Sequence, residues 1–303
     1  MRILPLVLLA LACSACAGPD SLADKVRARI SRFQGTVSLY AKNLDTGASI
    51  GIRESESVRT ASTIKLPIMT AVFDAVARGE AKWDEPLTVT AAEKVTGSGI
   101  LGTEISDGVK LPLRDVVHLM IVLSDNTATN LVLERFTADA VNAYLDRIGI
   151  RTTRSLRKVR GDGNVLKPPT GWSAAGRLPQ NEKYGLGVST PHDMVTILEQ
   201  LEKGQIVSPE ASREMLEILK RCQDNTGIRR PMGDLTVANK SGSLNALRSD
   251  VGIVYAKGGR IAMAITTDDM PKIDDSPDNP GSLLIADLAR MLVDGLQKPA
   301  ATR

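Results

Sequence analysis

Strand-like sequence at both ends of the chain, with helix-like sequence between, is the pattern that most constrains its fold. Near the N-terminus, Gly35 to Asn43 alternates like a half-buried strand, and Asp45-Thr46-Gly47 turns it back into Ala48 to Arg53 as a hairpin. Toward the other end, Leu235 to Lys240, Ser249 to Ala256 and Arg260 to Thr266 read as an antiparallel series whose last hairpin closes at Gly258-Gly259. The expected class is therefore α+β. One antiparallel sheet is built discontinuously from residues 24–60 and 222–298, and a helical region occupies 61–221.

The helical readings follow the 3.6-residue period. Ser21 to Phe33 places Val26, Ile30 and Phe33 on one stripe behind a Ser21 cap, and Ser282 to Gln297 is a final amphipathic helix. Between them lie a helix from Ser62 toward Gly79, an apolar helix over Leu113 to Leu123, and helices over Thr127 to Phe136, Ala138 to Ile148, Pro191 to Lys203 and Pro209 to Arg221. Residues 81–111 are turn-rich. Residues 150–190, with Pro168-Pro169 and several glycines, form a long irregular loop, and loops of that length inside a compact protein are usually functional or mobile.

Composition narrows the function. The net charge of +3 over 303 residues is too small and too scattered to argue for nucleic acid. No zinc spacing, P-loop or dinucleotide fingerprint is present, and two histidines make a multi-histidine metal site a poor reading, so neither metal nor cofactor is expected. The first residues differ in kind: Arg2, an apolar run from Ile3 to Ala12, then small residues around Ala15-Cys16-Ala17. That is a signal peptide over residues 1–17, implying export to a periplasmic or extracellular location. Cleavage at the A-x-A pattern and lipid attachment at Cys16 both fit, and a membrane contact is expected only with the lipid. Cys222 then has no partner for a disulfide. His118 sits in an apolar helix and His192 at a helix start, so neither reads as a catalytic partner for that thiol.

Three short motifs carry the chemistry. Ser62-Thr63-Ile64-Lys65 puts a hydroxyl and an amine three residues apart, one helical turn from each other. A serine attacks a carbonyl only when a neighbouring base takes its proton, and a lysine serves as that base only when burial or nearby cations lower its pKa. S-x-x-K occurs about once by chance in a chain of ordinary composition, and Ser155-Leu156-Arg157-Lys158 is indeed a second copy. Ser124-Asp125-Asn126 behind an apolar helix and Lys240-Ser241-Gly242 at the end of a strand change the odds. All three together, in this order, have a chance likelihood below roughly one per cent.

This motif set resembles that of penicillin-recognising serine enzymes, and the chain as a whole resembles the class A β-lactamase family over residues 24–298. Further support comes from Gly97-Ser98-Gly99-Ile100-Leu101, from Leu119 through Asn130, and from Arg248-Ser249-Asp250-Val251-Gly252. The resemblance implies a β-lactamase/transpeptidase-like fold, with an antiparallel sheet flanked by helices beside an all-helical region and the active site between them. It also implies roles. Ser62 attacks the lactam or peptide carbonyl, Lys65 is the acylation base or part of its proton relay, and Ser124 passes the proton to the leaving nitrogen. Asn126 holds the substrate amide and Lys65. Lys240 and Ser241 meet the substrate carboxylate, with Arg248 as a second anchor. Gly242 completes that motif, and the Ser62 and Ser243 N–H groups form the oxyanion hole. Asp125 is expected to stabilise its loop rather than react.

One departure from the family stands out. Its long loop carries a glutamate, in an E-x-x-L-N pattern, that activates the deacylating water. Here Val159 or Arg160 falls at that place, and Asp162 and Glu182 are the nearest acids. The leading expectation is a β-lactamase-type serine hydrolase acting through an acyl-enzyme on Ser62, with a small β-lactam or a D-Ala-D-Ala peptide as partner and a monomeric state. A D-alanyl-D-alanine carboxypeptidase with slow deacylation is the alternative, followed by a non-catalytic sensor of β-lactams or peptidoglycan fragments.

Overall fold

The computed structural model describes residues 21–162 and 165–297, so the expected signal peptide and Cys16 lie outside the described residues. The chain enters through α1 (Leu22–Ile30). Ser21 Oγ accepts from the Asp24 N–H while the Asp24 carboxylate accepts from the Ser21 N–H, a reciprocal cap that starts the helix one residue after the serine. The hairpin β1 (Thr36–Asn43) and β2 (Ser49–Ile52) follows, then β3 (Val58–Arg59). A single 3₁₀ turn, Ala61–Ile64, leads into α2 (Lys65–Ala77). Within the turn-rich stretch, β4 (Pro86–Thr88) and β5 (Lys110–Pro112) pair. The helices α3 (Leu113–Val122), α4 (Asn126–Phe136) and α5 (Ala138–Arg147) come next, then β6 (Arg154–Ser155) and β7 (Gly187–Ser189) at either end of the long loop. After α6 (Pro191–Glu202) and α7 (Pro209–Lys220), the chain closes with β8 (Thr236–Leu244), β9 (Leu247–Ala256), β10 (Gly259–Asp268) and α8 (Pro280–Leu296).

The main sheet has five antiparallel strands in the order β2-β1-β10-β9-β8. β1 lies against β10 from Thr36↔Asp268 to Asn43↔Ile261, which joins strands from opposite ends of the chain. Period-two alternation gives the sheet two apolar faces. Val37, Leu39, Val254, Ile261, Met263 and Ile265 pack with α1 and α8, where Leu284, Leu288 and Leu292 are fully buried. Ala238, Val251, Ile253, Ala262 and Ala264 turn the other way, into the core shared with the helical region.

At the centre of that second core is α2. Every residue from Lys65 to Phe73 is buried, which marks a helix enclosed on all sides rather than one lying on the surface. Pro67 falls in its first turn, where the missing N–H costs little. The antiparallel sheet, its flanking helices and the helical region reproduce the expected α+β, β-lactamase/transpeptidase-like architecture. Two differences bear on the site. The Ser62 segment is a 3₁₀ turn before the α-helix, because Lys65 donates its backbone N–H to the Ser62 and Thr63 carbonyls. β8 also runs four residues beyond Lys240, through Leu244, since Ser241 to Ser243 stay paired with β9 despite their polarity.

Candidate active site

The three motifs meet in one cleft between the sheet and the helical region. Ser62 is partly exposed on the 3₁₀ turn, behind Ala61, whose φ of 46° lies in the left-handed region. Ser124 has a φ of 54° and is strained in the same way. Such backbone persists only where the surroundings over-determine it. For Ser124 the surroundings are the next residue's side chain. Asp125 Oδ1 accepts from Ala128 N–H at 2.8 Å and caps α4, while Oδ2 accepts from Ile100 N–H at 2.7 Å and Leu101 N–H at 2.8 Å. The loop approaches closely enough that a Cβ on Gly99, whose φ is 100°, would lie 2.2 Å from this carboxylate. Asp125 thus ties its loop in place.

Lys65 projects from the start of α2 into this junction with no solvent exposure. Its Nζ donates to Ser124 O at 2.7 Å, Ser124 Oγ at 3.2 Å and Asn126 Oδ1 at 2.9 Å. Asn126 in turn donates through Nδ2 to Thr96 O at 3.1 Å, which anchors it to the loop before Gly97. From the sheet side Lys240, also fully buried, donates to Ser124 Oγ at 3.0 Å and to Ser241 O at 2.7 Å. Burial, and then the positive charge of Lys240, push the Lys65 pKa well below 10.5, against the opposing charge of Asp125. Burial lowers Lys240 too, partly offset by Cys222, Asp224 and Asp250.

β8 lies directly against the Ser62 turn. A Cβ on Gly242 would come within 2.7 Å of the Ser62 N and 2.9 Å of the Thr60 O, so only glycine permits this approach. Ser243 is exposed one residue further on, and Ser241 Oγ donates to Asp224 Oδ2 at 2.6 Å. Arg248 lines the same cavity as Ser241, Gly242 and Ser243; its guanidinium donates to Leu244 O at 2.7 Å, Leu247 O at 2.8 Å and Asp274 O, and pairs with Asp275 at 3.5 Å.

The long loop is held by Asn130 and Lys158. Asn130 Nδ2 donates to Val159 O at 3.0 Å, and Val159 N–H donates back to Asn130 Oδ1 at 2.8 Å, which fixes Val159 against α4. Lys158 pairs with Glu93 at 2.8 Å and with Glu134. The second S-x-x-K copy is thereby excluded as a site: its lysine is bound to two carboxylates and Ser155 is wholly buried. Asp162 bonds Thr96 Oγ1 through its own N–H at 3.0 Å and lines the cavity beside Ser241 and Ser243, whereas Glu182 is exposed on a 3₁₀ segment, Pro179–Tyr184. Cys222 is a buried free thiol. Asp224 carries no motif and Asp250 only the Arg248-to-Gly252 stretch, and the fold brings both beside Lys240.

Comparison with known proteins gives the same fold. A β-lactamase structure from Sphaerobacter thermophilus is 30% identical, covers 92% of this chain and 98% of its own, and superposes with a TM-score of 0.77. A leucine-to-glutamate mutant of PBP-A, solved as its acyl-enzyme complex with penicillin G, is 28% identical with a TM-score of 0.75, covering 90% of this chain and 95% of that one. The β-lactamase regulatory protein BlaB of Streptomyces cacaoi is 24% identical over 92% of this chain and 98% of its own length. With residues 21–296 matching its description, the chain belongs to the beta-lactamase enzyme family.

Proposed function

We propose that this protein is an exported serine hydrolase that opens β-lactam rings through an acyl-enzyme on Ser62, with a slow second half-reaction. The observation that carries the reading is Ser124 Oγ, which accepts hydrogen bonds from two buried lysines. With both its acceptor positions filled by lysine N–H groups, the hydroxyl proton points elsewhere, toward a leaving nitrogen in the cleft. Lys65, its pKa lowered by burial, takes the Ser62 proton as the Oγ–carbonyl bond forms. The proton then reaches the nitrogen by way of Ser124 as the C–N bond breaks. The Ser62 and Ser243 N–H groups receive the oxyanion, Asn126 orients the substrate amide, and Lys240 supplies positive charge.

Hydrolysis of the acyl-enzyme needs a second base for water. Val159, held by Asn130, offers none. This observation favours a D-alanyl-D-alanine carboxypeptidase as the second reading, with β-lactams acting as slowly released acyl donors. Acylation of the PBP-A mutant by penicillin G supports the first half-reaction in a related fold. Export rests on the N-terminal sequence; among the described residues no helix is long and apolar enough to cross a membrane.

Intact-protein mass spectrometry after adding penicillin G, with Ser62→Ala as control, tests both readings. An adduct on Ser62 that decays as penicillin is consumed supports the hydrolase. A persistent adduct together with release of D-alanine from a D-Ala-D-Ala peptide supports the carboxypeptidase. A persistent adduct without that activity points to a regulatory role. The absence of any adduct, with no penicillin consumed, refutes the acyl-enzyme for penicillins.

A further inference from the structure

Two cavities meet at the sheet end of the cleft. The first, about 370 Å³, is walled by Ser241, Gly242, Ser243 and Arg248 among others. The second, about 440 Å³, is walled by Asn225, Thr226, Arg229, Arg230, Gly233 and Pro277. Thr226 and Pro277 belong to both, so one cavity opens into the other. The junction is fixed by Asp224, which accepts from Ser241 Oγ at 2.6 Å through Oδ2 and from Thr226 Oγ1 at 2.7 Å through Oδ1. The two differ in charge. Asp162, Asp224 and Asp275 stand beside Arg248 in the first, whereas the second has two arginines and no acidic side chain among the described residues that wall it. Arg229 is committed to β8, giving Nη2 to Val237 O at 2.8 Å and Asn239 Oδ1 at 2.9 Å. Arg230 donates to Pro277 O at 2.8 Å and Asp278 Oδ1 at 2.6 Å, which uses two of the five N–H groups of a guanidinium. Its pair with Asp278 is exposed on both sides, and such a pair yields readily to a competing carboxylate.

The proton relay gives this extension a direction. The leaving nitrogen takes its proton from Ser124, whose Oγ lies 3.0 Å from Lys240 Nζ, and Lys240 reaches on to Ser241 O at 2.7 Å. Whatever hangs from that nitrogen therefore lies along Lys240 and Ser241, at the mouth of the second cavity. We propose that the second cavity is a leaving-group subsite, which selects acyl donors whose leaving amino acid carries a second carboxylate on its side chain, with Arg230 as the partner of that carboxylate. The α-carboxylate stays with Lys240 and Arg248, and the side chain passes Thr226 to reach the guanidinium, whose planar fork suits a carboxylate. D-Glutamate is the simplest leaving group of this form. The proposal rests on the reading of this cleft as the acyl-transfer site.

The test compares N-acetyl-D-Ala-D-Ala with the same donor ending in D-Glu and in D-Gln, which matches D-Glu in size without its charge. Release of the terminal amino acid is followed on the full chain, on Arg230→Gln and on Arg230→Lys. Equilibrium binding is measured separately on the Ser62→Ala chain with and without Arg230→Gln. The D-Glu donor is expected to bind about tenfold more tightly than the D-Gln donor and to be cleaved with a kcat/KM higher by a similar factor. Arg230→Gln should erase that difference, Arg230→Lys should keep part of it, and the D-Ala donor should be unchanged throughout. Equal binding of the D-Glu and D-Gln donors to Ser62→Ala, or a D-Glu preference that survives Arg230→Gln, overturns the proposal. If no donor releases its amino acid but Ser62→Ala still prefers D-Glu through Arg230, the subsite stands and the carboxypeptidase reading falls. If no donor binds Ser62→Ala, the proposal falls.

Discussion

Replacing Asp125 should damage both stability and acylation, by amounts that can be worked out in advance. Its carboxylate is wholly buried and accepts three backbone hydrogen bonds, from Ala128, Ile100 and Leu101. Bonds to a charged group are worth about 1.5 kcal/mol or more each, so Asp125→Ala is expected to cost about 4 kcal/mol. For a domain of this size that is a fall in Tm of about 10 °C. Asp125→Asn presents a single acceptor oxygen, so either the α4 cap or the pair of loop bonds loses its partner, and about half the cost remains. The same bonds hold Ser124 in its left-handed conformation, with Oγ between the two lysines. Misplacing it should slow acylation by about 10²-fold, even at temperatures where the variant stays folded. Denaturant titration at neutral pH and burst acylation by penicillin G read the two effects separately. A loss under about 1 kcal/mol for Asp125→Ala, or an unchanged acylation rate, would refute this account of the loop.

Three further outcomes are expected. Val159→Glu should introduce a base beside the acyl-enzyme and speed decay of the Ser62 adduct by about 10²-fold; decay at the native rate would show that water cannot be activated from that position. Acylation should rise with pH along a limb set by Lys65, well below its ordinary 10.5, because only the neutral amine takes the Ser62 proton. Lys65→Arg should abolish the limb together with most of the rate, and a limb that survives would assign it to another group. Asp250, buried and close to Asp224, has its pKa raised from 3.8 to about 7. The folded state thus holds a proton that the unfolded state has lost, and stability should fall as pH rises through that window. Denaturation midpoints of Asp250→Asn should lack this decline, and an identical slope in both proteins would contradict the assignment.

Much of the architecture was readable because each element obeys one period. The alternation of Gly35 to Asn43 specified a half-buried strand, and the apolar run of Leu113 to Leu123 a helix, which buries Leu113, Val116, Val117, Met120 and Ile121. Less of the cleft was readable. The 3₁₀ start at Ser62 is set by how β8 abuts the turn at Gly242, a tertiary contact with no local sequence mark. The polar continuation of β8 through Ser241 to Leu244 fails every strand pattern, since pairing with β9 holds it. α8 begins at Pro280, two residues before the expected start at Ser282, because the Asn279 side chain caps it by accepting from the Gly281 and Ser282 N–H groups. Asn130 reads as one more polar residue on a helix until the loop folds back and exchanges two bonds with it.

The strand order has a consequence for how the molecule comes to exist. Thr36 on β1 donates to Asp269, 233 residues further on, just beyond β10. Until β10 is made, β1 presents an unpaired edge, and an open edge of that kind invites pairing with other chains. Closing so long a loop before any contact rewards it makes such a sheet slow to assemble. Lys240 arrives on β8, within the same late strands, so a nascent chain carrying Ser62 and Lys65 has neither its second buried lysine nor the strand that backs its nucleophile. Reactivity at Ser62 should therefore appear only when the sheet closes, which would make β-lactam labelling a kinetic probe of the last step of folding.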